Sequence, residues 1–324
     1  MATYERYRFL LMTTDPVHVG TGGYRLGRVD NSIVREPGTK VPKIPGTSLH
    51  GAVRSYAAQL YETPEAAGQN QDHVKNPDQN PVCYTFGYIK KHSQDTVAYS
   101  GVVSIFDAHV LLFPVHSMVG PVWVSTLERL KQAGFEVSNK LPQNWDIGAA
   151  LSTWNRKDPL NLGWLMVSIA GVVTVEPPKK WEEDQRWRAV SGHIVIVHDA
   201  LFSQVVNSNL EVRTSVAIDP ARGAAEDKAL FTYEALPRTT FLTVEVVLDD
   251  YRNGSQGRPF PKDKTHNGNP LPGGGQWSSP IDVVKAGLRM IEWLGVGGMG
   301  TRGFGRVAVV GEPLIQKFGQ EKWE

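Results

Sequence analysis

The stretch from residue 295 to residue 305 constrains the fold more than any other, because six of its eleven residues are glycine. Glycine has no Cβ, so such a loop can take positive φ angles and offer bare backbone amides to a large anion. The residues before it predict a helix: Ser279 is a typical cap, Pro280 suits the first turn, and apolar residues recur at helical spacing as far as Leu294. Residues 306–310 then alternate like a strand. The predicted order is therefore helix, glycine loop, strand.

The glycine loop contains Gly295-x-Gly297-x-x-Gly300, which fits a dinucleotide-binding pattern. That pattern normally follows a strand and opens a helix, whereas here the glycines end a helix. A nicotinamide-dependent enzyme is therefore a remote alternative. The predicted order of helix, glycine loop and strand suits a βαββαβ unit, so we predict an α+β fold with a ferredoxin-like or RRM-like core.

Size and composition narrow the class of protein. With 324 residues and 41% hydrophobic residues, the chain can bury a large core, and no apolar run approaches membrane-spanning length. The start of the sequence lacks the features of a signal peptide, which predicts a cytoplasmic protein. The single cysteine, Cys83, excludes an intrachain disulfide and a cysteine-rich zinc site.

The charge distribution leaves two interpretations open. The formal net charge of +1 counts against a dedicated nucleic-acid-binding domain. Residues 1–60 nevertheless carry eight Lys or Arg residues against four acids. This excess indicates either a local basic track or an ordinary solvated charged surface.

We predict a single domain over residues 1–324 with three large insertions. A helix begins near Ser48, and strands are predicted at 8–14, 101–106, 109–114 and 239–248. The insertions are a lid or helical insertion at 62–98, a protruding β-hairpin at 199–236, and a flexible loop at 249–279 rich in glycine and proline.

Several blocks of sequence, in order along nearly the whole chain, carry a family resemblance. They are His18-Val-Gly-Thr-Gly-Gly23 with Gly27-Arg-Val-Asp30, residues 33–36, residues 42–54, residues 106–115, residues 213–219 with 232–237, and the C-terminal glycine loop. Together they resemble the RAMP superfamily of CRISPR proteins. The sequence is most similar to the crRNA-binding backbone subunit of type III-B (Cmr) effector complexes, with the type III-A counterpart a near relative.

The resemblance implies a ribonucleoprotein subunit that lines up in several copies along a crRNA, beside other type III CRISPR subunits and with no membrane. It implies that target RNA paired to the guide is cleaved at regular intervals by a loop aspartate and a transient Mg²⁺ or Mn²⁺ ion. Asp30 is the matching catalytic and metal-binding residue. Without the family, Asp30-Asn31 would be only a polar pair that caps a turn. The 199–236 hairpin corresponds to the family's thumb, which wedges between bases.

The resemblance also implies a set of RNA contacts made by backbone amides, cations and the wedge. The predicted RNA-binding residues are His18, Gly20, Gly22, Gly23, Lys43, Ser48, His50, Arg54, Arg213, Ile218, Gly297, Gly298, Gly300 and Arg302. The family usually has Lys at the position of His50. Asp107 is expected to be structural, and Glu234 to be a solvent-facing acid at the base of the hairpin.

Three functions within the superfamily remain open. The first is a target-RNA endonuclease, and the second is a non-catalytic structural scaffold that only binds crRNA. A precursor-RNA processing nuclease is the third possibility, against which the hairpin and Asp30 argue. No HExxH or similar ligand spacing is present, so we predict no permanent metal site.

Overall fold

The computed structural model describes residues 4–22, 29–68, 73–91, 96–138, 146–255, 259–261, 265–266, 269–270 and 277–323. The strands in these residues are β1 Tyr4–Thr13, β2 Lys43–Ile44, β3 Gly87–Lys91, β4 Thr96–Ser100, β5 Val103–Ile105, β6 Ala108–Ser117, β7 Gly120–Ser125, β8 Glu136–Ser138, β9 Ala149–Ser152, β10 Leu160–Leu162, β11 Leu165–Val172, β12 Thr174–Glu176, β13 Ile194–Val197, β14 Glu211–Asp219, β15 Ala224–Ala235, β16 Phe241–Asp249, β17 Thr265–His266, β18 Asn269–Pro270 and β19 Val307–Lys317.

The α-helices in the same residues are α1 Gly46–Leu60, α2 Pro81–Phe86, α3 Leu127–Ala133, α4 Lys179–Glu182, α5 Gln185–Arg188, α6 Asp199–Ser208, α7 Tyr251–Ser255 and α8 Pro280–Leu294. Short 3₁₀ turns lie at Pro64–Ala67, Pro77–Gln79, Ser191–His193 and Gly300–Arg302. No helix in the described ranges is long and apolar enough to cross a membrane.

One large sheet organises the fold, with the strand order β10-β11-β9-β13-β7-β6-β16-β1-β19. Strand β1 lies between β16 and β19 and is antiparallel to both, so it is the second strand from one edge of the sheet. Strands β5 and β2 add to the sheet by pairing with β16 and β6. The first and last described strands, β1 and β19, are therefore neighbours at one edge of the sheet.

Both faces of the sheet are covered, which explains why β1 contains a continuous apolar run. Phe9 and Leu11 point into a core that includes residues of α1 and α8. Leu10 points the opposite way, into a second core with Trp181 and Phe241. Successive residues of a strand face opposite sides, so a strand buried on both faces needs apolar residues throughout.

The two long helices pack closely against each other. Helix α8 begins with a capping box, in which Ser279 and Asp282 bond each other's backbone amides, as the Ser-Pro start predicted. At the crossing, a Cβ on Gly287 of α8 would clash with the carbonyl oxygen of Val53 on α1. The absence of a side chain at Gly287 therefore lets the middle turns of the two helices approach closely.

Residues 120–197 extend the sheet in a way that the sequence patterns did not indicate. Strands β7, β13, β9, β11 and β10 continue it with mixed directions, since β7 and β13 run parallel whereas β13 and β9 run antiparallel. Helices α3 to α5 contribute Leu130, Trp181 and Trp187 to the second core. These helices therefore cover the face of the sheet that carries the second core.

The three predicted insertions contain more regular structure than expected. The segment 199–236 begins with helix α6, and only β14 and β15 form the antiparallel hairpin, so the predicted hairpin was too long at its start. Residues 62–98 include 3₁₀ turns, α2 and most of the β3–β4 hairpin. The 249–279 loop opens with α7, and most of its remainder lies outside the described residues.

Candidate functional site

The glycine loop, residues 295–305, packs backbone against backbone on the N-terminal loop, residues 15–22. The N–H of Gly298 donates to the carbonyl oxygen of His18 at 2.8 Å. Gly297 has a φ of 90°, and a Cβ there would clash with the same carbonyl group. The loop closes on itself where Val296 N–H donates to Gly305. Close packing between the two loops therefore accounts for part of the glycine content.

His18 connects the two loops to the hairpin formed by β14 and β15. Its side chain is only 5% exposed, and Nδ1 lies 2.6 Å from the carbonyl oxygen of Glu234. Because a carbonyl only accepts, Nδ1 carries the proton. The ring also meets Tyr233 edge to face. His18 is thus a buried structural bridge, and its predicted contact with RNA stays a prediction.

Asp30 lies at the base of the hairpin, in the Asp30 loop, residues 29–35. Its carboxylate oxygen Oδ2 accepts hydrogen bonds from the backbone N–H of Thr232 at 2.7 Å and from Oγ1 of Thr232 at 2.9 Å. Both bonds lower the pKa of the Asp30 carboxyl, and the bond from the backbone N–H of Thr232 contributes more than the bond from its hydroxyl. The side chain is nevertheless exposed. The site therefore presents an ionised carboxylate to solvent in a fixed position.

A partly buried ion pair holds the Asp30 loop against the hairpin. Arg35 contacts Glu234 at 2.8 Å, and its Nε donates to Asn207 on α6 at 2.8 Å. Glu234 also accepts from the N–H of Ile33 at 3.3 Å. Glu234 is 9% exposed, so the expectation that it faces solvent was wrong. The Glu234 carboxylate is buried because it pairs with the Arg35 guanidinium and accepts from the N–H of Ile33.

Aromatic rings join the hairpin to the glycine loop. Tyr233 and Phe304 meet edge to face with ring centres 5.3 Å apart. The guanidinium of Arg213 lies 4.7 Å from the Phe304 ring, and that of Arg302 lies 5.7 Å from the Phe231 ring. Both arginines are exposed, although Arg213 also pairs with Glu211 at 2.6 Å. Arg213 and Arg302, both predicted to bind RNA, therefore lie at one aromatic cluster.

A groove of about 330 Å³ lies between α1 and the glycine loop. Tyr56 closes one side of it, because its hydroxyl donates to the Gly295 carbonyl at 2.7 Å. The predicted RNA-binding residues Ser48, Gly297 and Gly300 line the groove, which brings α1 and the loop into one concave surface. Gly298 differs, since its N–H is used by His18 and cannot bind a phosphate while that bond exists.

Three other predicted RNA-binding side chains are directed into the protein. Lys43 Nζ contacts Asp107 at 2.6 Å and Glu36 at 3.0 Å. The Arg54 guanidinium donates to the carbonyl oxygens of residues 66, 86 and 87. His50 packs on Phe86, and burial lowers its pKa. In this conformation the donors of Lys43 and Arg54 serve internal acceptors, which the sequence could not reveal.

Asp107 has the structural role expected of it. Its Oδ1 accepts from the backbone N–H of Gly46 at 2.7 Å, and so caps the first turn of α1. The helix start is thus already paired with a carboxylate, which weakens it as an anion site. Pairing with Gly46 and Lys43 keeps the pKa of Asp107 below its usual range despite partial burial.

The remaining predicted residues that the structure describes lie at the surface. Ile218 is 64% exposed near the tip of the hairpin, beside the exposed Val216 and Leu230. Gly20 and Gly22 are exposed in the N-terminal loop, and Gly22 has a φ of 78°. Gly23 lies outside the described residues.

Sequence reasoning missed two residues that build the site. Thr232 and Arg35 hold Asp30 and its loop, but each makes contacts nearly two hundred residues away in sequence. The only available signal was that both fall within blocks of the family resemblance or beside them. Among the residues that the structure describes, no group of three or more His, Cys, Asp or Glu side chains is placed to hold a metal ion.

The fold and this cluster define a mixed α/β protein with one large sheet, in which two glycine-rich loops contact each other and a β-hairpin, and an exposed carboxylate lies against that hairpin. The chain belongs to the RAMP superfamily, which its residues 10–308 match. The family resemblance of the sequence is thereby confirmed.

Individual relatives come from CRISPR systems. The chain is 28% identical over 253 residues to the CRISPR system Cmr endoribonuclease Cmr4 of Pyrococcus furiosus, covering 73% of this chain and 79% of that protein. Its fold is similar, with a TM-score of 0.60 and 16% identity, to a chain of the type III-B Cmr-beta complex bound to cognate target RNA, covering 94% and 96% of the two chains. Oligomeric Cmr4 from Pyrococcus furiosus gives a TM-score of 0.54 at 18% identity, covering 98% and 99%.

Proposed function

We propose that this chain is a repeated backbone subunit of a type III-B CRISPR complex, which binds crRNA and cleaves the target RNA paired to it. The family match and the similarity to a protein named as an endoribonuclease support this function. The similar chain in a target-RNA complex and the oligomeric relative support RNA, other subunits and copies of the same chain as partners. The strand order β6-β16-β1-β19, with α1 and α8 packed together, supports a ferredoxin-like core.

The observation that carries the proposal is the position of Asp30. This ionised, exposed carboxylate lies at the base of a hairpin whose outer part carries the exposed apolar side chains Val216, Ile218 and Leu230. Such side chains are suited to unstack neighbouring bases, at a cost of a few kcal/mol per step. A nucleotide displaced by the hairpin would then lie near a carboxylate that is held still.

Cleavage by this route requires the protein to align the reacting groups and to offset the negative charge of the phosphate. Attack of a ribose 2′-OH on the adjacent phosphate forms a 2′,3′-cyclic phosphate and breaks the bond from phosphorus to the 5′-oxygen of the next nucleotide, which leaves and takes a proton from water. The reaction needs the nucleophile and the leaving oxygen in line, and the hairpin would supply that geometry by splaying the nucleotide. Asp30 either accepts the hydroxyl proton or holds a cation through its carboxylate. Arg213 and Arg302, at the aromatic cluster, stabilise the negative phosphate.

The residues present fit a transient divalent ion rather than a resident one. Mg²⁺ is commonly held by one or two carboxylates together with substrate phosphates and waters, and Asp30 offers one exposed carboxylate. When bound, the ion supplies positive charge that offsets the charge developing on the phosphate. The guide strand would lie along the groove between α1 and the glycine loop, against Ser48, Gly297 and Gly300.

A non-catalytic scaffold is the second candidate function, favoured by the lack of a multi-ligand metal cluster in the described ranges. Asp30→Ala in a reconstituted complex, with guide and labelled target RNA, separates the two functions. We expect target cleavage to be lost while target binding is kept. Asp158→Ala, which removes an exposed acid from the loop before β10, is the matched control and is expected to cleave normally. Normal cleavage by Asp30→Ala would leave only the scaffold.

A further inference from the structure

Thr232 makes an unusually complete set of contacts with Asp30. Its backbone N–H and its hydroxyl both donate to Oδ2 of Asp30, at 2.7 and 2.9 Å. The hydroxyl oxygen in turn accepts from the backbone N–H of Asp30 at 3.1 Å. One threonine on strand β15 therefore fixes both the carboxylate and the main chain of Asp30.

The surrounding backbone reinforces this arrangement. Asn31 forms a parallel bridge with Tyr233, in which Asn31 N–H donates to Thr232 and Glu234 N–H donates to Asn31. The bonds hold the Asp30 loop along the hairpin strand. Both bonds to the Asp30 carboxylate reach the same oxygen, Oδ2, while Oδ1 accepts no hydrogen bond from the described residues.

We propose that Thr232 is a positioning residue for target-RNA cleavage, which fixes one oxygen of Asp30 so that the other is directed at the RNA. This inference rests on the proposed function, and assigns a role to a residue outside the predicted set. It also ties the carboxylate to the strand that carries the hairpin, so that the wedge and the cleaving group stay in register.

Threonine suits position 232 because its hydroxyl both donates a hydrogen bond to Asp30 and accepts one from it. A hydroxyl group can donate and accept at once, whereas a methyl group of the same size can do neither. Thr232→Val keeps the β-branched shape that suits a strand but removes both hydroxyl bonds. Thr232→Ser keeps the hydroxyl. The pair of variants therefore separates the hydrogen bonds from the packing.

The test compares these variants in the reconstituted complex with guide RNA, using single-turnover cleavage of a labelled target. We expect Thr232→Val to slow cleavage about 10- to 100-fold, as for other residues that orient a catalytic ligand. Subunit assembly and target affinity should stay at the wild-type level, and Thr232→Ser should restore most of the rate. Thr174→Val, the same exchange at an exposed position of β12, is the control and should cleave normally.

Hydrogen–deuterium exchange of the complex supplies a readout that does not depend on cleavage or metal. Peptides covering residues 29–35 should exchange faster in Thr232→Val than in wild type, Thr232→Ser or Thr174→Val. Unchanged exchange in Thr232→Val would overturn the inference, because the loop would then be held by other contacts.

The cleavage outcomes distinguish the two proposals. If Asp30→Ala abolishes cleavage but Thr232→Val cleaves at the wild-type rate, this inference fails and the proposed function stands. The inference also fails if Thr232→Ser is as slow as Thr232→Val, or if Thr232→Val loses target binding in step with its rate. If Asp30→Ala still cleaves, the proposed nuclease function fails, and this inference fails with it.

Discussion

Gly298 donates its backbone N–H to the carbonyl oxygen of His18 at 2.8 Å, which joins a loop near the start of the chain to one near its end. The same histidine bonds the hairpin through the Glu234 carbonyl. Three segments that are distant in sequence therefore share one residue. Disturbing that junction should affect the stability of the whole site.

Gly297→Ala is expected to destabilise the protein by about 2–5 kcal/mol. The new methyl group would meet the His18 carbonyl, and the backbone would have to keep a φ of 90° that alanine disfavours. Urea unfolding followed by fluorescence measures the change. Gly192→Ala is the control, because the added Cβ meets nothing within 4 Å, and should stay within about 0.5 kcal/mol of wild type. Equal stability of the two variants would contradict this packing.

Glu234→Ala is expected to cost about 2–3 kcal/mol of stability. The substitution leaves the Arg35 guanidinium partly buried without its carboxylate, and partial exposure of the pair reduces the penalty below that of a fully buried one. Glu183→Ala removes an acid from the exposed pair with Arg188 and should cost less than about 1 kcal/mol. Chemical denaturation of both variants tests the difference, and similar losses would show that Glu234 is not specially placed.

Cys83 is expected to resist alkylation in the folded protein. Burial raises the pKa of its thiol to about 11, so only about a thousandth is thiolate at pH 8. Mass spectrometry after brief iodoacetamide treatment should show little modification in native protein and complete modification in denaturant. Rapid alkylation without denaturant would mean that the residue is accessible and the pKa is not raised.

Stability should fall on acidification partly through His50. Burial, with help from the Arg54 charge, lowers the pKa of His50 in the folded state, so the unfolded chain binds more protons. The stabilisation is present above the unfolded pKa of about 6.5 and is lost as the pH falls from there towards the folded pKa. His50→Phe keeps a ring against Phe86 but cannot titrate. Its urea midpoint should fall less than that of wild type between about pH 7.5 and 5.5, and parallel curves would refute the effect.

Features encoded locally were predictable from the sequence. Helix α8 was indicated by its Ser-Pro start and its apolar spacing, and the structure confirms it from Pro280 to Leu294. The same holds for α1, which was predicted to begin near Ser48 and begins at Gly46, with Leu49 and Val53 buried. Such signals operate within a few residues, so neighbouring sequence is enough to detect them.

Partners brought together by the sheet were not predictable. Lys43 and Arg54 were assigned to RNA, yet their nearest acceptors are Asp107 and backbone carbonyls that only the folded chain brings close. Thr232 was not singled out, because nothing near it in sequence indicates that Asp30 lies against it. Mixed-direction strands from residues 120–197 were also missed, since parallel pairing depends on long connections rather than on local turns.

The position of β1 has a consequence for how the protein is made. Tyr4–Thr13 is synthesised long before its two neighbours in the sheet, Phe241–Asp249 and Val307–Lys317. Until those residues are synthesised, an apolar strand has unpaired edges, which are prone to aggregate. We therefore expect the nascent chain to need shielding of this strand, by a chaperone or by transient local contacts, until both neighbouring strands have been synthesised.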